Sequence, residues 1–203
     1  MKLHVFLVAA IATFGLSACF GRATYRWQEE VLLHDGRVVV IERSVRTGEV
    51  PVEIGQPPGE SDYTLTFRTA DGKAITWEAG KSFKPMIFDM VNGAVYVVAR
   101  GSTGPDYERH GCPKPPYFIF RYVDGRWQRI DYEQLPGQIR LANLMSSVTG
   151  DDQRLAAVKR GKATVEDVRK SHRWLDAHYK EVREDAPNPC ADWGKDYRYV
   201  PPK

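Results

Sequence analysis

Residues 107–130 read YERHGCPKPPYFIFRYVDGRWQRI, and this stretch decides how the chain folds. Pro113, Pro115 and Pro116 fix the dihedral φ and lack an amide hydrogen, so the chain before residue 117 is extended and lies outside the middle of a sheet. Residues 117–123, YFIFRYV, carry aromatic and β-branched side chains at both alternating sets of positions. They predict a strand that is buried on both faces at the centre of a sheet.

The turn after this strand sets the register of a hairpin. Asp124 and Gly125 suit the left-handed conformations of a two-residue turn. With such a turn, the cross-strand pairs are Ile119 with Ile130, Tyr122 with Trp127, and Tyr117 with Tyr132.

Three more hairpins are predicted upstream of this one. The first spans residues 27–45 and turns at Asp35-Gly36, and the third turns at Asn92-Gly93. The second has the three-residue loop 70–72. Its pairs are Tyr63 with Ala79, Leu65 with Trp77, and Phe67 with Ile75, while the third hairpin pairs Met90 with Val95, Phe88 with Val97, and Ile87 with Val98. The turns together predict an antiparallel β body of about eight strands over residues 25–132, either a sandwich or a barrel.

A helical pattern replaces the strand pattern in residues 137–185. Apolar side chains recur every three or four residues from Val165 to Val182, which predicts one amphipathic helix. Thr164 and Asp167 have the spacing of a capping box at its start. A shorter helix is predicted over residues 151–159, ended by Gly161, and residues 186–203 are a tail. The predicted fold class is α+β, a single domain over residues 25–203 in which C-terminal helices pack on the β body.

The first residues form a leader. Residues 3–15 are an apolar run after the basic Lys2, and the leader ends in Leu16-Ser17-Ala18-Cys19. This tetrapeptide resembles the lipobox of bacterial lipoproteins. The resemblance implies that residues 1–18 are a signal peptide, that the Cys19 thiol receives a lipid, and that the new amino terminus is acylated. The alternative is an ordinary secretory signal with an incidental cysteine.

The residues after Cys19 imply where the protein is anchored. Phe20 follows the cysteine instead of an aspartate, which in this class favours the outer membrane over the inner membrane. Residues 19–24 form a short tether, because the residues between Cys19 and Tyr25 span about 17 Å when fully extended. The membrane is therefore one predicted partner, reached through the N-terminal lipid, and the domain faces the periplasm close to the headgroups.

The charge of the chain argues against nucleic acid as a partner. The formal net charge is +3, with 29 basic and 26 acidic residues, and the sequence contains no polybasic block. Nucleic-acid binding requires a concentrated positive field, which this composition does not provide.

Two cysteines remain once Cys19 carries a lipid. In an oxidising compartment, Cys112 and Cys190 are expected to form a disulfide that pins the tail against the start of the central strand. Closing a loop of about 80 residues would stabilise the fold by on the order of 4 kcal/mol. The alternative is a redox-active or nucleophilic Cys112, two residues from His110.

The sequence carries none of the common catalytic motifs. It contains no Gly-x-Ser-x-Gly, His-Glu-x-x-His or Walker-type pattern,. His172 and Asp176 could share a metal ion on one helix face, but the spacing places no third ligand, and a hydrogen-bonded core histidine is the alternative. We therefore predict no catalytic residue, no metal site and no cofactor.

A long polar connection lies between the third hairpin and the central strand. Residues 101–116 are tied at one end by Cys112 and the prolines, and they are expected to present polar side chains to solvent. Tyrosine and arginine are frequent anchors of protein contacts. We therefore predict a contact surface for an envelope protein, formed by Asp106, Tyr107, Arg109, His110 and Lys114. A merely solvated connection is the alternative.

Short motifs along the chain carry one further resemblance. They are Trp27-Gln-Glu-Glu-Val, Gly111-Cys-Pro, Pro115-Pro-Tyr, Arg121-Tyr, Gly125-Arg-Trp and Leu135-Pro. In this combination the chain resembles a family of uncharacterised proteobacterial lipoproteins. The resemblance spans most of the mature chain and implies no particular activity.

These observations favour a membrane-anchored periplasmic lipoprotein with a non-catalytic binding or envelope-maintenance role. One alternative is a toxin-neutralising (immunity) lipoprotein, which the short tether also suits. A second alternative is an envelope hydrolase whose catalytic residues are scattered through the fold.

Replacing the lipobox cysteine tests the anchor. Cys19→Ala should leave an unprocessed precursor, because no thiol remains to accept the lipid. Metabolic labelling with palmitate should mark the wild-type protein and not the variant. A variant that is still labelled and fractionates with the membrane like wild type would contradict the lipobox.

Overall fold

Two open sheets form the body of the protein. This computed structural model describes residues 22–48, 59–69 and 71–192, and within them nine strands are present. The strands are β1 (Ala23–Leu32), β2 (Val38–Thr47), β3 (Glu60–Arg68), β4 (Ala74–Glu78), β5 (Phe83–Val91), β6 (Ala94–Gly101), β7 (Phe118–Val123), β8 (Arg126–Ile130) and β9 (Lys162–Ala163). The helices are α1 (Gly104–Arg109), a 3₁₀ helix (Tyr132–Gln134), α2 (Asp152–Lys159), α3 (Val165–Ser171), α4 (Ala177–Lys180) and α5 (Pro189–Asp192).

The strand order confirms an α+β protein that is mostly β. The first sheet has the order β4-β3-β2-β1-β9 and the second has the order β5-β6-β7-β8. Only the β1–β9 pairing is parallel among the described strands. No closed barrel forms within the described residues. The predicted leader, Cys19 and most of the tail lie outside these residues.

The predicted hairpin registers are confirmed almost throughout. The structure contains the pairs Ile119–Ile130, Tyr122–Trp127, Met90–Val95, Phe88–Val97, Ile87–Val98, Leu65–Trp77 and Phe67–Ile75. The Ala79 amide donates to the Tyr63 carbonyl, which continues the second hairpin in the predicted register. Residue 70 of its predicted loop lies outside the described residues.

One predicted pair is wrong, and one strand is less buried than expected. Tyr117 does not pair with Tyr132, because β8 ends at Ile130 and Tyr132 begins the 3₁₀ helix. β7 lies between β6 and β8, and most of its side chains beyond Ile119 are only half-buried. β6 is buried on both faces, with residues 94–99 all buried, and so is the middle of β5.

β6 is buried on both faces because each face of the second sheet meets a different core. Val95, Val97 and Ala99 belong to the cluster between the two sheets, where the Phe67 and Phe88 ring centroids are 5.3 Å apart. The opposite face of the sheet and the C-terminal segment, by which we mean residues 131–192, contribute to a second cluster. Its members include Tyr96, Val98, Ile119, Ile139 and Val182.

The predicted long helix is wrong, and the two cores explain why. Val168 packs into the cluster between the sheets, whereas Val182 packs into the cluster under the C-terminal segment. One straight helix cannot direct these residues to two separate layers, so α3 ends at Ser171 and α4 begins at Ala177. The capping box at Thr164 is confirmed, as is the helix α2 before Gly161. The predicted helical part also contributes β9 to the first sheet.

A buried ion pair lies on the core side of the first sheet. Glu29 of β1 is 0% exposed and Arg43 of β2 is 2% exposed. Arg43 Nη1 lies 2.8 Å from both carboxylate oxygens of Glu29, and Trp27 Nε1 donates to Oε2 at 2.7 Å. The Met145 amide donates to Glu29 Oε1 at 2.8 Å, and its carbonyl accepts from Arg43 Nη1 at 3.1 Å. The pair therefore holds the C-terminal segment against the first sheet.

A second buried carboxylate holds the same segment a few residues later. Glu60 Oε1 accepts from the amides of Val148 and Thr149 and from the hydroxyl of Ser147. Burial alone would raise the pKa of Glu60, but the nearby Lys84 ammonium and these donors outweigh it, so the pKa is lowered. Glu60 is therefore an ionised anchor inside the fold.

In the part of the chain that the structure describes, no helix is long and apolar enough to span a membrane.

Breaking the buried ion pair should cost much more than an exposed substitution on the same strand. Glu29→Ala leaves the Arg43 guanidinium buried without its counter-ion, so the free energy of unfolding should fall by about 3 to 5 kcal/mol in urea titrations. Gln28→Ala, on the exposed face of β1, should change it by less than about 0.5 kcal/mol,. Equal effects of the two substitutions would show that the pair does not contribute in this way.

Candidate functional site

The connection between β6 and β7 contains a helix that the sequence analysis missed. Asp106 accepts from the Thr103 amide and hydroxyl at 2.9 and 2.7 Å, which caps α1 at its start. The sequence carries this signal, because Thr103 and Asp106 have capping-box spacing and Pro105 lies in the first turn,. Asp106 is 5% exposed and Tyr107 is 7% exposed. The expectation that these two side chains reach solvent is therefore wrong.

The Tyr107 ring is buried because β6 ends in a glycine. A Cβ atom at Gly101 would lie 2.6 Å from Cε2 of Tyr107, so only glycine lets the ring lie across this strand. The ring also packs near Phe118, with centroids 5.4 Å apart. Burial raises the pKa of the Tyr107 phenol.

The other predicted contact residues differ in exposure. Arg109 and Lys114 are exposed, and Arg109 Nη1 forms an ion pair with Asp106 at 2.7 Å. The His110 ring is half-buried and packs between Phe83 and Phe118, with centroid distances of 4.6 and 5.9 Å. Burial lowers the pKa of His110, and no carboxylate among the described residues bonds to its ring. The structure therefore gives His110 no partner for acid–base chemistry.

The predicted disulfide is confirmed. Cys112 and Cys190 are bonded, with their Cα atoms 6.1 Å apart. The bond connects the turn after α1 to α5, so the two helices lie against each other. Neither thiol remains available as the nucleophile that the alternative required.

A cavity lies where β6, α1 and the C-terminal segment meet. Its volume is about 330 Å³. We call it the Arg100 cavity; its walls include Arg100, Ser102, Tyr107, Pro116, Tyr117, His178, Tyr179, Pro187 and Pro189. Because Pro189 belongs to α5, the disulfide holds one wall of the cavity in place.

Arg100 is the charged group of this cavity. Its guanidinium carbon lies 3.8 Å from the Tyr179 ring centroid, in the geometry of a cation–π contact,. Its Nε atom is buried without a hydrogen-bond partner, and so is the hydroxyl of Ser102. No carboxylate within the described residues pairs with Arg100. A half-buried guanidinium without a counter-ion is costly, which points to an anionic ligand.

Arg100 adds to the lowering of the pKa of two neighbouring basic groups, Lys84 and His178, although burial is the larger cause for each. Lys84 is its cross-strand partner on β5, and the Lys84 ammonium is 3.7 Å from Glu60 Oε2. Burial lowers the pKa of Lys84 more than Glu60 raises it. Burial also lowers the pKa of His178 in the cavity wall, and Arg100 adds to this effect.

The cavity lies at the end of the sheets where β1 begins. Ala23 pairs with Thr47, and Thr47 pairs with Glu60 on the next strand. Glu60 in turn contacts Lys84, which is the cross-strand neighbour of Arg100. Any tether that precedes β1 therefore enters the fold on the side of the Arg100 cavity.

Among the described residues, the structure does not contain the helix face on which His172 and Asp176 could have shared a metal ion. The break after α3 removes His172 and Asp176 from a common helix, and His172 Nε2 lies 2.7 Å from the Leu144 carbonyl oxygen. This contact matches the alternative of a hydrogen-bonded core histidine.

The sequence analysis found Tyr107 but missed the rest of the Arg100 cavity. Arg100 and Ser102 lie together at the end of β6, but Tyr179 comes from a distant part of the chain, and no motif or spacing connects it to them. The only local signal was the glycine at position 101, which indicates a close approach to the backbone.

No known family model, curated protein or solved structure matches this chain.

Substitutions in α1 should change the free energy of unfolding much more at buried positions than at exposed ones. Tyr107→Ala removes a buried ring, so it should lower the free energy of unfolding by about 3 to 5 kcal/mol. Arg109→Ala, two residues on and exposed, should lower it by less than about 1 kcal/mol, because an exposed ion pair contributes little. Chemical denaturation of both variants measures the difference. A Tyr107→Ala protein as stable as wild type would contradict the burial of the ring.

Proposed function

We propose that the protein is a lipid-anchored periplasmic lipoprotein of the outer membrane. In this role it is not an enzyme, and it binds an acidic segment of another envelope protein in the Arg100 cavity. The lipobox sequence at Cys19 supports the anchor, and Phe20 supports the outer membrane. The disulfide between Cys112 and Cys190 suits an oxidising compartment,.

The unpaired Arg100 guanidinium is the observation that carries the binding role. Arginine binds carboxylates through two parallel hydrogen bonds, and its planar group keeps this geometry while it stacks on Tyr179,. The unpartnered Ser102 hydroxyl supplies a further donor. A carboxylate in the cavity would satisfy both groups at once.

The walls of the cavity favour a protein segment as the source of the carboxylate. Tyr107, Tyr117 and Tyr179 line it together with three prolines. Tyrosine and arginine dominate the energetics of protein contacts, because they combine a large apolar surface with a polar end. The carboxylate can belong to an aspartate or glutamate side chain or to a chain terminus.

The position of the cavity agrees with a short tether. A tether of about 17 Å keeps the start of β1 near the membrane. The Arg100 cavity lies at the same end of the sheets. The partner would therefore meet the protein near the membrane face, which suits an integral or lipid-anchored protein of the same membrane.

Photo-crosslinking in cells tests this proposal. A photoreactive amino acid at position 187, an exposed position in the cavity wall, should form an adduct with one defined protein. Arg100→Gln should reduce that adduct at least fivefold, because the guanidinium no longer binds the carboxylate. The same photoreactive residue at position 159, which is exposed on α2, is the matched control and should not form it.

Mapping the crosslinked peptide distinguishes the two sources of the carboxylate. The peptide should contain aspartate or glutamate, or it should be the C-terminal peptide of the partner. An adduct that persists in Arg100→Gln, or that forms equally from position 159, would refute the proposed site.

A further inference from the structure

A second cavity lies at the opposite end of the sheets from the Arg100 cavity. It has a volume of about 560 Å³, within the range of small-molecule sites,. We call it the His34 cavity. Leu32, the last residue of β1, lies in the wall of this cavity, and the turn after β1 contributes Leu33 and His34. The ten residues of β1 place this cavity about 30 Å from the start of the strand,.

The carboxylates in the wall of the His34 cavity are already paired. Asp89 Oδ1 lies 2.7 Å from His34 Nδ1, and Asp89 Oδ2 accepts from the His34 amide at 3.0 Å. Glu30 Oε1 forms an ion pair with Lys162 at 2.8 Å. Both carboxylates therefore already have partners within the protein.

Three cations in the same wall have no carboxylate partner within the described residues. Arg140 Nε donates to the Gly137 carbonyl, and Lys180 Nζ donates to the Arg173 carbonyl. Arg169 of α3 is exposed and has no ion-pair partner among the described residues. The wall of this cavity therefore has an excess of positive charge, which attracts anions.

The inner surface of the cavity is apolar. Leu33 and Val168 are buried members of the core between the sheets, and both line the cavity. Leu32 and Val165 are half-buried beside them. Leu141, also in the wall, is 68% exposed, although most large apolar side chains among the described residues are covered. A ligand that covers these side chains gains the free energy of apolar burial.

We propose that the His34 cavity binds a single-chain amphiphile with an anionic head group. Arg140, Arg169 and Lys180 bind the head, and the alkyl chain lies against Leu32, Leu33 and Leu141. His34 is held at the wall by Asp89, which leaves its Nε2 atom for a contact with the head group. This part of the inference rests on the proposed anchor: with a short tether at the start of β1, the His34 cavity lies at the end of β1 away from the membrane, so the ligand is a free molecule and not part of the bilayer.

The probe for this site is dodecyl phosphate with a photoreactive diazirine at the end of its chain. The full-length protein is kept in dodecyl maltoside micelles, so a neutral twelve-carbon chain is always present in large excess. Irradiation should label peptides that contain Leu33 or Val168. Unlabelled dodecyl phosphate should abolish the labelling, and octyl phosphate should compete at least tenfold more weakly, because it buries fewer methylene groups.

Variants separate the contributions of the head and the chain. Arg140→Gln with Arg169→Gln should reduce labelling at least fivefold, and Leu141→Gln, at an exposed position, should weaken competition by the twelve-carbon chain. The control Arg126→Gln, on the exposed face of β8, should label like wild type.

Several results would overturn the proposal. Inorganic phosphate that competes as well as dodecyl phosphate would show an anion site without a chain site. Labelling that is confined to other peptides, or that is equal in the double variant and the control, would show that the cavity does not bind the probe. Vesicle binding that rises with the content of anionic lipid and falls in the double variant, without labelling by the free probe, would assign this surface to the membrane.

Discussion

The buried pair of Glu29 and Arg43 is the constraint on which the rest of the structure depends. It lies on the core face of the first sheet, where an apolar pair would fill the space at lower desolvation cost. The carboxylate also accepts hydrogen bonds from Trp27 and from the Met145 amide. This charged pair therefore specifies where the C-terminal segment crosses from one side of the second sheet to the other. Once residue 145 is placed, Glu60 fixes the next few residues and α2 follows.

The crossing of this segment explains how one chain builds two cavities at opposite ends. Before the crossing, the segment covers the outer face of the second sheet with Ile139. After it, α2 leads to β9, which extends the first sheet, and α3 completes the wall of the His34 cavity. The chain then returns through α4 to close the Arg100 cavity. Lys180 and Tyr179, adjacent in sequence, thus line different cavities.

The hairpins could be predicted, because their registers depend on residues that are close together in the sequence. Turn dipeptides such as Asn92-Gly93, together with alternating side chains, fix the register of a hairpin locally. The observed strand pairs have the predicted registers,. The prediction of one long helix was wrong because the apolar spacing from Val165 to Val182 does not reveal that these side chains pack into different cores. The burial of Tyr107 was missed because it depends on Gly101, whose missing side chain makes room for the ring. No local sequence pattern marks Arg100. It matters because the described part of the fold supplies no counter-ion for its guanidinium, and the sequence does not show this.

The disulfide has a consequence for the order in which the molecule is completed. Cys112 and Cys190 are 78 residues apart, and the covalent loop between them contains β7, β8, β9 and the helices α2 to α4. During synthesis Cys112 emerges long before its partner, so it stays a free thiol while both sheets can already assemble. The bond can close only when the last described helix has been made. The disulfide therefore forms late in the synthesis of the chain, and until then Cys112 is exposed to reaction with thiols of other molecules.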